Sequence, residues 1–163
     1  MDDLSKFLNF LYEDQKGYIY VASKGEINPA TSKPDWKQEF FSWPSSQQEI
    51  EDYIKTNSLE KDVYLAPAIF KGKQALKSRV KGSNVVWVEF DGQEQIDFDS
   101  LGIPQPDCII QSSSPTHLHC YWKIPFSTTD VVEGINRRLT YYLEADSSGW
   151  DANQVLRPPS SKN

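Results

Sequence analysis

The chain has 163 residues, of which 38% are hydrophobic and 13% aromatic, so it is long and apolar enough for one folded domain and is not a disordered chain. It has no apolar run long enough to cross a membrane, and its N-terminus is acidic, unlike that of a secretory signal. Its two cysteines, Cys108 and Cys120, are too few for a disulfide framework or a four-thiolate zinc site. The formal net charge of −6 argues against a protein that coats nucleic acid.

The first third of the sequence predicts two helices and one strand. Apolar residues at helical spacing predict a helix over 3–14, and an apolar run predicts a strand over 18–22. Residues 23–44 contain three prolines and a glycine, so we expect an irregular segment that aromatic side chains anchor to the core. A capping-box pattern that begins at Ser46 predicts a helix over 46–57.

The remainder of the chain predicts mainly strands. These strands are predicted over 63–66, 84–91, 107–111 and 117–124, with a final short strand before Pro158. A Ser-rich turn joins 107–111 to 117–124, which predicts a hairpin, and a second capping box, Asp130 with Glu133, predicts a helix over 130–144. Strands and helices mix without strict βαβ alternation, which favours the α+β class.

Two acids end the most apolar of these strands. Glu89 and Asp91 are two residues apart, so they lie on the same face of the predicted strand. Neighbouring carboxylates repel each other, and a bound cation usually offsets that cost. The pair therefore indicates a divalent-metal site, although one acid at a solvated strand end and one in a turn would give the same pattern.

The charged residues are distributed unevenly along the chain. Residues 71–82 contain five Lys or Arg and no acid, whereas residues 82–122 contain several acids and no Lys or Arg. A basic segment that leads into an acidic one suits a site that handles metal ions and phosphates together. A solvated basic loop is the alternative interpretation.

The only two histidines lie on one predicted strand. His117 and His119 share a face of that strand with Tyr121, next to the Ser-rich turn. This placement favours metal ligation or donation of a hydrogen bond to an anionic oxygen, whereas a purely structural role is the alternative.

A third group of functional residues lies near the end of the sequence. Asp151 follows a glycine turn, and Arg157 precedes Pro158, which forces an extended backbone at this point. A guanidinium in that position can bind a phosphate or pair with a carboxylate, and a structural ion pair is the alternative.

Taken in order, these groups resemble the motifs of the archaeo-eukaryotic primase superfamily, most closely the primase-polymerase domains of plasmid and phage replication proteins. The three matching segments are 86–91, with its acid-x-acid pair; 113–122, with a Ser, a turn and a His strand that ends in aromatics; and 151–163, with Asp, Val-Leu-Arg, Pro and Asn. The resemblance covers roughly residues 60–163. It departs from the family pattern at Glu89, where Asp is usual, at Gln154, where a basic residue is common, and at Ser160, where many members have Gly.

The resemblance implies a fold and an activity. The fold would be an RRM-like mixed sheet carrying the catalytic core, residues 61–163, preceded by an N-terminal α/β extension, residues 1–60. The activity would be that of a DNA primase or polymerase, encoded by a plasmid or phage and located in the cytoplasm of a bacterial or archaeal host. Its partners would be nucleoside triphosphates, a single-stranded DNA template and a primer. A further C-terminal region or a helicase is also implied, since we expect the chain to be a fragment of a longer protein.

The same resemblance assigns roles to individual residues. The implied ligands of two Mg²⁺ or Mn²⁺ ions are Glu89, Asp91 and Asp151. The implied nucleotide-binding residues are Ser113, His119 and Arg157. Charge and position alone suggest contacts to template or phosphate for Lys77, Arg79 and His117.

Two other functions fit parts of the sequence. His117-Leu118-His119 resembles the metal motif of single-strand nicking enzymes of rolling-circle replication, and Tyr141 or Tyr142 would then be the nucleophile. That interpretation leaves Asp151 and Arg157 unexplained. Alternatively, an RRM-like sheet without enzymatic activity would bind single strands by stacking bases on Trp87 and Tyr121.

Overall fold

A computed structural model describes residues 2–92, 96–112 and 114–159, and this part of the chain contains three α-helices and seven strands. In chain order the elements are α1 (Asp3–Tyr12), β1 (Gly17–Asn28), β2 (Lys33–Trp43), α2 (Gln47–Asn57), β3 (Asp62–Leu65), β4 (Ile69–Phe70), a 3₁₀ turn (Lys77–Arg79), β5 (Val80–Asp91), β6 (Cys108–Gln111), β7 (His117–Ser127) and α3 (Thr129–Tyr142). The α+β class is confirmed. None of the described helices is long and apolar enough to cross a membrane.

All seven strands belong to one sheet. Their order is β2-β1-β4-β5-β7-β6, and β3 also pairs with β1. Every pairing between these strands is antiparallel, so the expectation of a mixed sheet is wrong. Parallel neighbours need long crossover connections, usually through a helix, and this chain instead joins several successive strands by short turns.

The β5–β7 pair is the centre of the site-bearing half of the sheet. Residues from Gly82 to Val88 of β5 are buried without interruption, which explains the apolar sequence of this strand. The register places Glu89 opposite His119 and Asp91 opposite His117. The hairpin predicted between 107–111 and 117–124 is confirmed, because β6 pairs with β7 from Cys108 to Gln111.

Helices α1 and α3 fix β5 and β7 in place. Asn136 of α3 is fully buried, and its Oδ1 accepts a hydrogen bond of 2.8 Å from the backbone N–H of Trp87. The Nδ2 of Asn136 donates to the carbonyl oxygen of Trp150, at 3.4 Å. From α1, the ring of Phe7 contacts the ring of Tyr121 edge-on, with 5.5 Å between centroids. Helix α3 therefore holds β5 near its end, and α1 packs against β7.

The structure corrects the prediction for residues 23–44. This segment is not irregular: β1 continues to Asn28, and β2 runs from Lys33 to Trp43 as its antiparallel partner. Because β2 lies at the edge of the sheet, most of its polar side chains are exposed and Pro34 near its start is tolerated. The charged residues and prolines of this segment are therefore features of an edge strand, not of an irregular segment.

Two smaller predictions are also wrong. The capping boxes do not form, since neither Ser46, which is the N-cap of α2, nor Thr128, which is the N-cap of α3, makes a side-chain capping bond. The final short strand is a single antiparallel bridge between Leu65 and Leu156. This bridge is nevertheless important, because it fixes the position of Arg157.

Candidate active site

A cavity of about 240 Å³ opens where β5 ends beside the start of β7. It brings together the first acid pair, both histidines and the arginine that the sequence singled out. Its wall consists of Tyr64, Glu89, Phe90, Asp91, Ser112, His117, His119, Val155, Leu156 and Arg157. Residues from four separate parts of the chain thus form one concave site.

Each acid of the pair faces a histidine across the β5–β7 ladder. The Nε2 atom of His117 is 2.5 Å from Oδ1 of Asp91, and the Nε2 atom of His119 is 3.6 Å from Oε1 of Glu89. The side chain of Asp91 is 65% exposed, whereas that of Glu89 is 25% exposed. The shared face predicted for the two acids is therefore confirmed, with Asp91 at the mouth and Glu89 deeper in the cavity.

The imidazole of His119 is almost completely buried, at 5% exposure of the side chain. Its Nδ1 atom has no hydrogen-bond partner within the described part of the chain. Buried polar atoms are nearly always paired, so this nitrogen is an exception, and it belongs to a residue that lines the cavity.

Arg157 is held on the β3 side of the cavity. Its Nη1 atom is 3.1 Å from Oδ1 of Asp62, and its Nη2 atom donates to the hydroxyl of Tyr64 at 3.3 Å. The guanidinium also lies 5.0 Å from the centroid of the Tyr64 ring. Reciprocal backbone hydrogen bonds between Leu65 and Leu156, of 2.8 and 2.9 Å, place Arg157 next to β3.

Tyr64 remains a neutral partner of Arg157. Burial raises the pKa of the Tyr64 hydroxyl, and the nearby guanidinium of Arg157 opposes that rise. The ring can therefore support the cation through its face and accept a hydrogen bond through its oxygen without adding negative charge.

Asp151 lies apart from the cavity wall. Its Oδ1 atom binds Nζ of Lys77 at 2.9 Å, and the same ammonium is 2.6 Å from Oε1 of Glu133 on α3. These hydrogen bonds, the one to Glu133 first, raise the pKa of Lys77. The segment that carries Asp151 still approaches the acid pair, because a Cβ added at Gly149 would lie 2.7 Å from Oε2 of Glu89.

The carboxylates at the cavity form an open set of oxygen donors rather than a closed cage. Among the described residues, no three His, Cys, Asp or Glu side chains converge closely enough to enclose an ion. Mg²⁺, however, is usually held by only one or two carboxylates, together with water and substrate phosphates. The oxygen atoms of Glu89 and Asp91, side by side at an open cavity, fit that kind of site.

The fold of this chain, and not its sequence, is similar to those of known proteins. No protein-family model matches the sequence, and a search of curated proteins gives no match. Among solved structures, the fold is similar to the AEP domain of the cyanophage S-2L primase-polymerase, with a TM-score of 0.68, 14% identity, and coverage of 99% of this chain and 83% of the other. This chain has the fold of the archaeo-eukaryotic primases.

Two structures of primase RepB′ have the same primase fold. The first matches with a TM-score of 0.66 and 16% identity, and the match covers 51% of its length. The second is the catalytic domain in complex with initiator DNA; it matches with a TM-score of 0.64 and 15% identity, and the match covers 79% of its length. Each match covers 99% of this chain. The sequence motifs resemble primases only over residues 60–163, whereas the similarity of fold also includes the N-terminal third.

Three of the predicted site residues within the described part of the chain, Asp151, Lys77 and Arg79, do not line the cavity. Lys77 binds Asp151 and Glu133, as described above. Arg79 follows the 3₁₀ turn into β5 and packs on Gly72, where an added Cβ would be 2.8 Å from its Nη2. Ser113 lies outside the described residues, and its neighbour Ser112 is the serine that lines the cavity.

Sequence reasoning missed the residues that support the site. Asp62 and Tyr64 are two apart on β3, so they share a face, and this acid-x-aromatic alternation was the available signal. Glu133 was assigned to a capping box, yet it binds Lys77 and accepts a hydrogen bond of 3.3 Å from the backbone N–H of Ala152. The spacing of residues along the sequence does not show which distant cation will pair with an acidic side chain.

The structure argues against both alternative functions. Tyr142 donates to the carbonyl oxygen of Leu101, and neither Tyr141 nor Tyr142 lines the cavity that contains the histidines, so no helical tyrosine is placed as a nucleophile. The proposed stacking residues are inaccessible, because Trp87 is 0% and Tyr121 is 1% exposed. Bases cannot stack on rings inside the core, and this assignment was wrong.

Proposed function

We propose that the chain is the catalytic core of a template-directed nucleotidyltransferase, a DNA primase-polymerase that joins nucleoside triphosphates to a 3′-hydroxyl. The observation that carries this proposal is the cavity itself. A pair of carboxylates lies on its β5 side, and a buried imidazole and a supported guanidinium lie on its other sides. The primase fold over nearly the whole chain supports the same function.

We assign Glu89 and Asp91 to two divalent cations, Mg²⁺ or Mn²⁺, with Asp151 as a third carboxylate. When bound, such ions lower the pKa of an attacking hydroxyl and stabilise a leaving pyrophosphate. The protein contributes the fixed orientation of its carboxylates, since Glu89 and Asp91 belong to a strand paired along both acids. Asp151 must exchange its ammonium partner, Lys77, for a metal ion.

We assign the phosphate-binding role to His119 and Arg157, with Ser113 as the third residue of the set. His119 lines the cavity, and a ring N–H of its imidazole can be directed at an anionic oxygen. The guanidinium of Arg157 reaches the cavity from the other side, held by Asp62 and Tyr64. Planar guanidinium groups bind phosphate with paired hydrogen bonds.

The finer elements of the function are part of the same proposal. Residues 61–163 form the RRM-like catalytic module and 1–60 its N-terminal extension. A single-stranded DNA template and a primer reach the site past Lys77, Arg79 and His117, and the presence of initiator DNA in a complex of the RepB′ catalytic domain supports DNA as the partner. A C-terminal region or helicase would complete the replication machinery in the cytoplasm of the plasmid- or phage-bearing host.

The test is primer extension by Asp91→Asn on a single-stranded template with Mn²⁺. This variant keeps the shape of the side chain and removes its charge, so nucleotide incorporation should fall by roughly 100-fold or more. The matched control is Asp99→Asn, which makes the same charge change at an exposed residue outside the cavity wall and should leave the rate unchanged. Wild-type rates in a folded Asp91→Asn protein would refute the proposed function.

A further inference from the structure

Trp36 on β2 is a large aromatic side chain that the core does not bury. It is 50% exposed, whereas Trp43, Trp87 and Trp122 are exposed by 7% or less. The energetic gain from a tryptophan comes from removing its surface from water, so half-exposure on an edge strand leaves a large apolar face without a protein partner.

Trp36 contacts Tyr64, which is one of the residues that line the cavity. The rings of Trp36 and Tyr64 are 5.4 Å apart, centroid to centroid, and Tyr64 lines the cavity beneath Arg157. Strand register explains this contact. Lys24 pairs with Trp36 and Ala22 pairs with Tyr64, and because Ala22 and Lys24 share a face of β1, both rings project from the same face of the sheet.

The same strand pair contains a ring that packs against the core. Phe40, four residues along β2, stacks on Tyr20 with 5.1 Å between centroids and an interplanar angle of 13°, and it also contacts Phe70. Trp36 has Tyr64 as its aromatic neighbour at an angle of 51° and keeps half of its surface in solvent. Phe40 therefore extends the core, while Trp36 offers an open ring face beside the site.

The order of groups along this side of the cavity matches the order of groups in a nucleotide. Arg157 presents a cation at the cavity, the Tyr64 ring centroid lies 5.0 Å from that cation, and the Trp36 ring centroid lies 5.4 Å from that of Tyr64. A nucleoside triphosphate likewise has its anionic end and its base at opposite ends. Aromatic side chains bind bases of any sequence, because every base has a π face.

We propose that Trp36 is a nucleotide-binding residue on which the base of the incoming nucleoside triphosphate stacks while Arg157 binds its phosphates. This inference rests on the proposed function, since it extends the same nucleotide site onto the β1–β2 hairpin. It makes the N-terminal hairpin part of substrate recognition, a role that the motifs in residues 60–163 do not indicate.

The experiment compares Trp36→Ala with wild type for three ligands, each titrated with Mn²⁺ by calorimetry: dATP, inorganic tripolyphosphate, and single-stranded oligo(dT). A stacked base is worth about 5- to 150-fold in affinity. We therefore expect dATP binding to weaken by that factor, while tripolyphosphate and oligo(dT) bind as to wild type. Trp36→Phe, which keeps an aromatic face, should restore most of the dATP affinity. Ile27→Ala is the matched control, because Ile27 is 61% exposed on the same hairpin and should not affect any ligand.

Other results would overturn the inference in distinguishable ways. If Trp36→Ala weakens tripolyphosphate as much as dATP, Trp36 only supports Tyr64 and Arg157. If it weakens oligo(dT) and not dATP, the ring binds template. If wild type binds dATP and tripolyphosphate and Trp36→Ala changes neither, only the stacking inference fails. If wild type binds neither ligand, the proposed nucleotide site fails as well.

Discussion

The β5–β7 pair and the segment 146–157 both supply residues to the site, but they hold them in different ways. Glu89, Asp91, His117 and His119 belong to a continuous antiparallel ladder, so backbone register sets their spacing. The segment 146–157 follows α3 and contains no helix or strand beyond the Leu156 bridge. Its position depends on single contacts.

Those contacts can be identified individually. The backbone N–H of Asp146 donates to the carbonyl oxygen of Glu89 at 2.9 Å, and the indole N–H of Trp87 donates to the carbonyl oxygen of Gly149 at 3.0 Å. Asn136 adds the bond to Trp150. Side chains on paired strands are fixed by the whole ladder, whereas Asp151 and its neighbours are fixed by a few individual hydrogen bonds.

The largest effect should come from Asn136→Ala, which removes the link between α3, β5 and the segment. It leaves the N–H of Trp87 buried without a partner, so we expect the free energy of unfolding to fall by about 2–3 kcal/mol. The melting temperature should drop by about 4–12 °C. Asn9→Ala, which removes a bond within α1, is the control and should change melting by much less. Equal shifts for the two variants would mean that the segment is not anchored through Asn136.

A smaller effect is expected from Gly149→Ala, which tests the contact between the two regions. The new Cβ would lie 2.7 Å from Oε2 and 3.0 Å from Cβ of Glu89, so the carboxylate must move. Overpacking of this size costs about 1–3 kcal/mol. Because that cost falls on Glu89, we expect kcat/KM for incorporation to fall about 5- to 100-fold. The control is Gly134→Ala within α3, which should keep activity and stability. An active Gly149→Ala enzyme would show that the position of Glu89 is not critical.

The smallest effect concerns Lys77→Met, which frees Asp151 and Glu133. The ammonium is 46% exposed, so its loss should cost less than about 1 kcal/mol of stability. If Asp151 is a metal ligand, removal of the competing cation should tighten Mn²⁺ binding about 2- to 5-fold, measured by electron paramagnetic resonance of the free ion. Lys71→Met in the same basic segment is the control. Unchanged Mn²⁺ affinity in Lys77→Met would argue that Asp151 does not bind the metal.

The sequence predicted the ladder well and the segment poorly, for the same physical reason. The continuous apolar run of β5 marks a buried strand, and the shared face of Glu89 and Asp91 then follows from the two-residue period of strand geometry. The partner of an exposed charge is not encoded locally. Nothing in the spacing of Lys77, Glu133 and Asp151 indicates that one ammonium joins the two acids.

The N-terminal half shows a second limit of sequence reasoning. The strand β2 was missed because an edge strand keeps its polar and proline residues in solvent, which removes the alternation that marks a buried strand. The roles of Asp62 and Tyr64 were missed because they depend on Leu65 meeting Leu156. Local pattern identified the chemistry of Arg157, but only tertiary structure shows what orients it.

The strand β4 consists of two residues, Ile69 and Phe70, and it is the strand that joins β1 to β5 within the sheet. It pairs with β1 at a single position and with β5 across a register shift. Arg157 is tied through β3 to the β1 end of the sheet, whereas the carboxylates belong to the β5 end. The distance between the Arg157 guanidinium and the carboxylates of Glu89 and Asp91 therefore depends on the geometry of this two-residue strand.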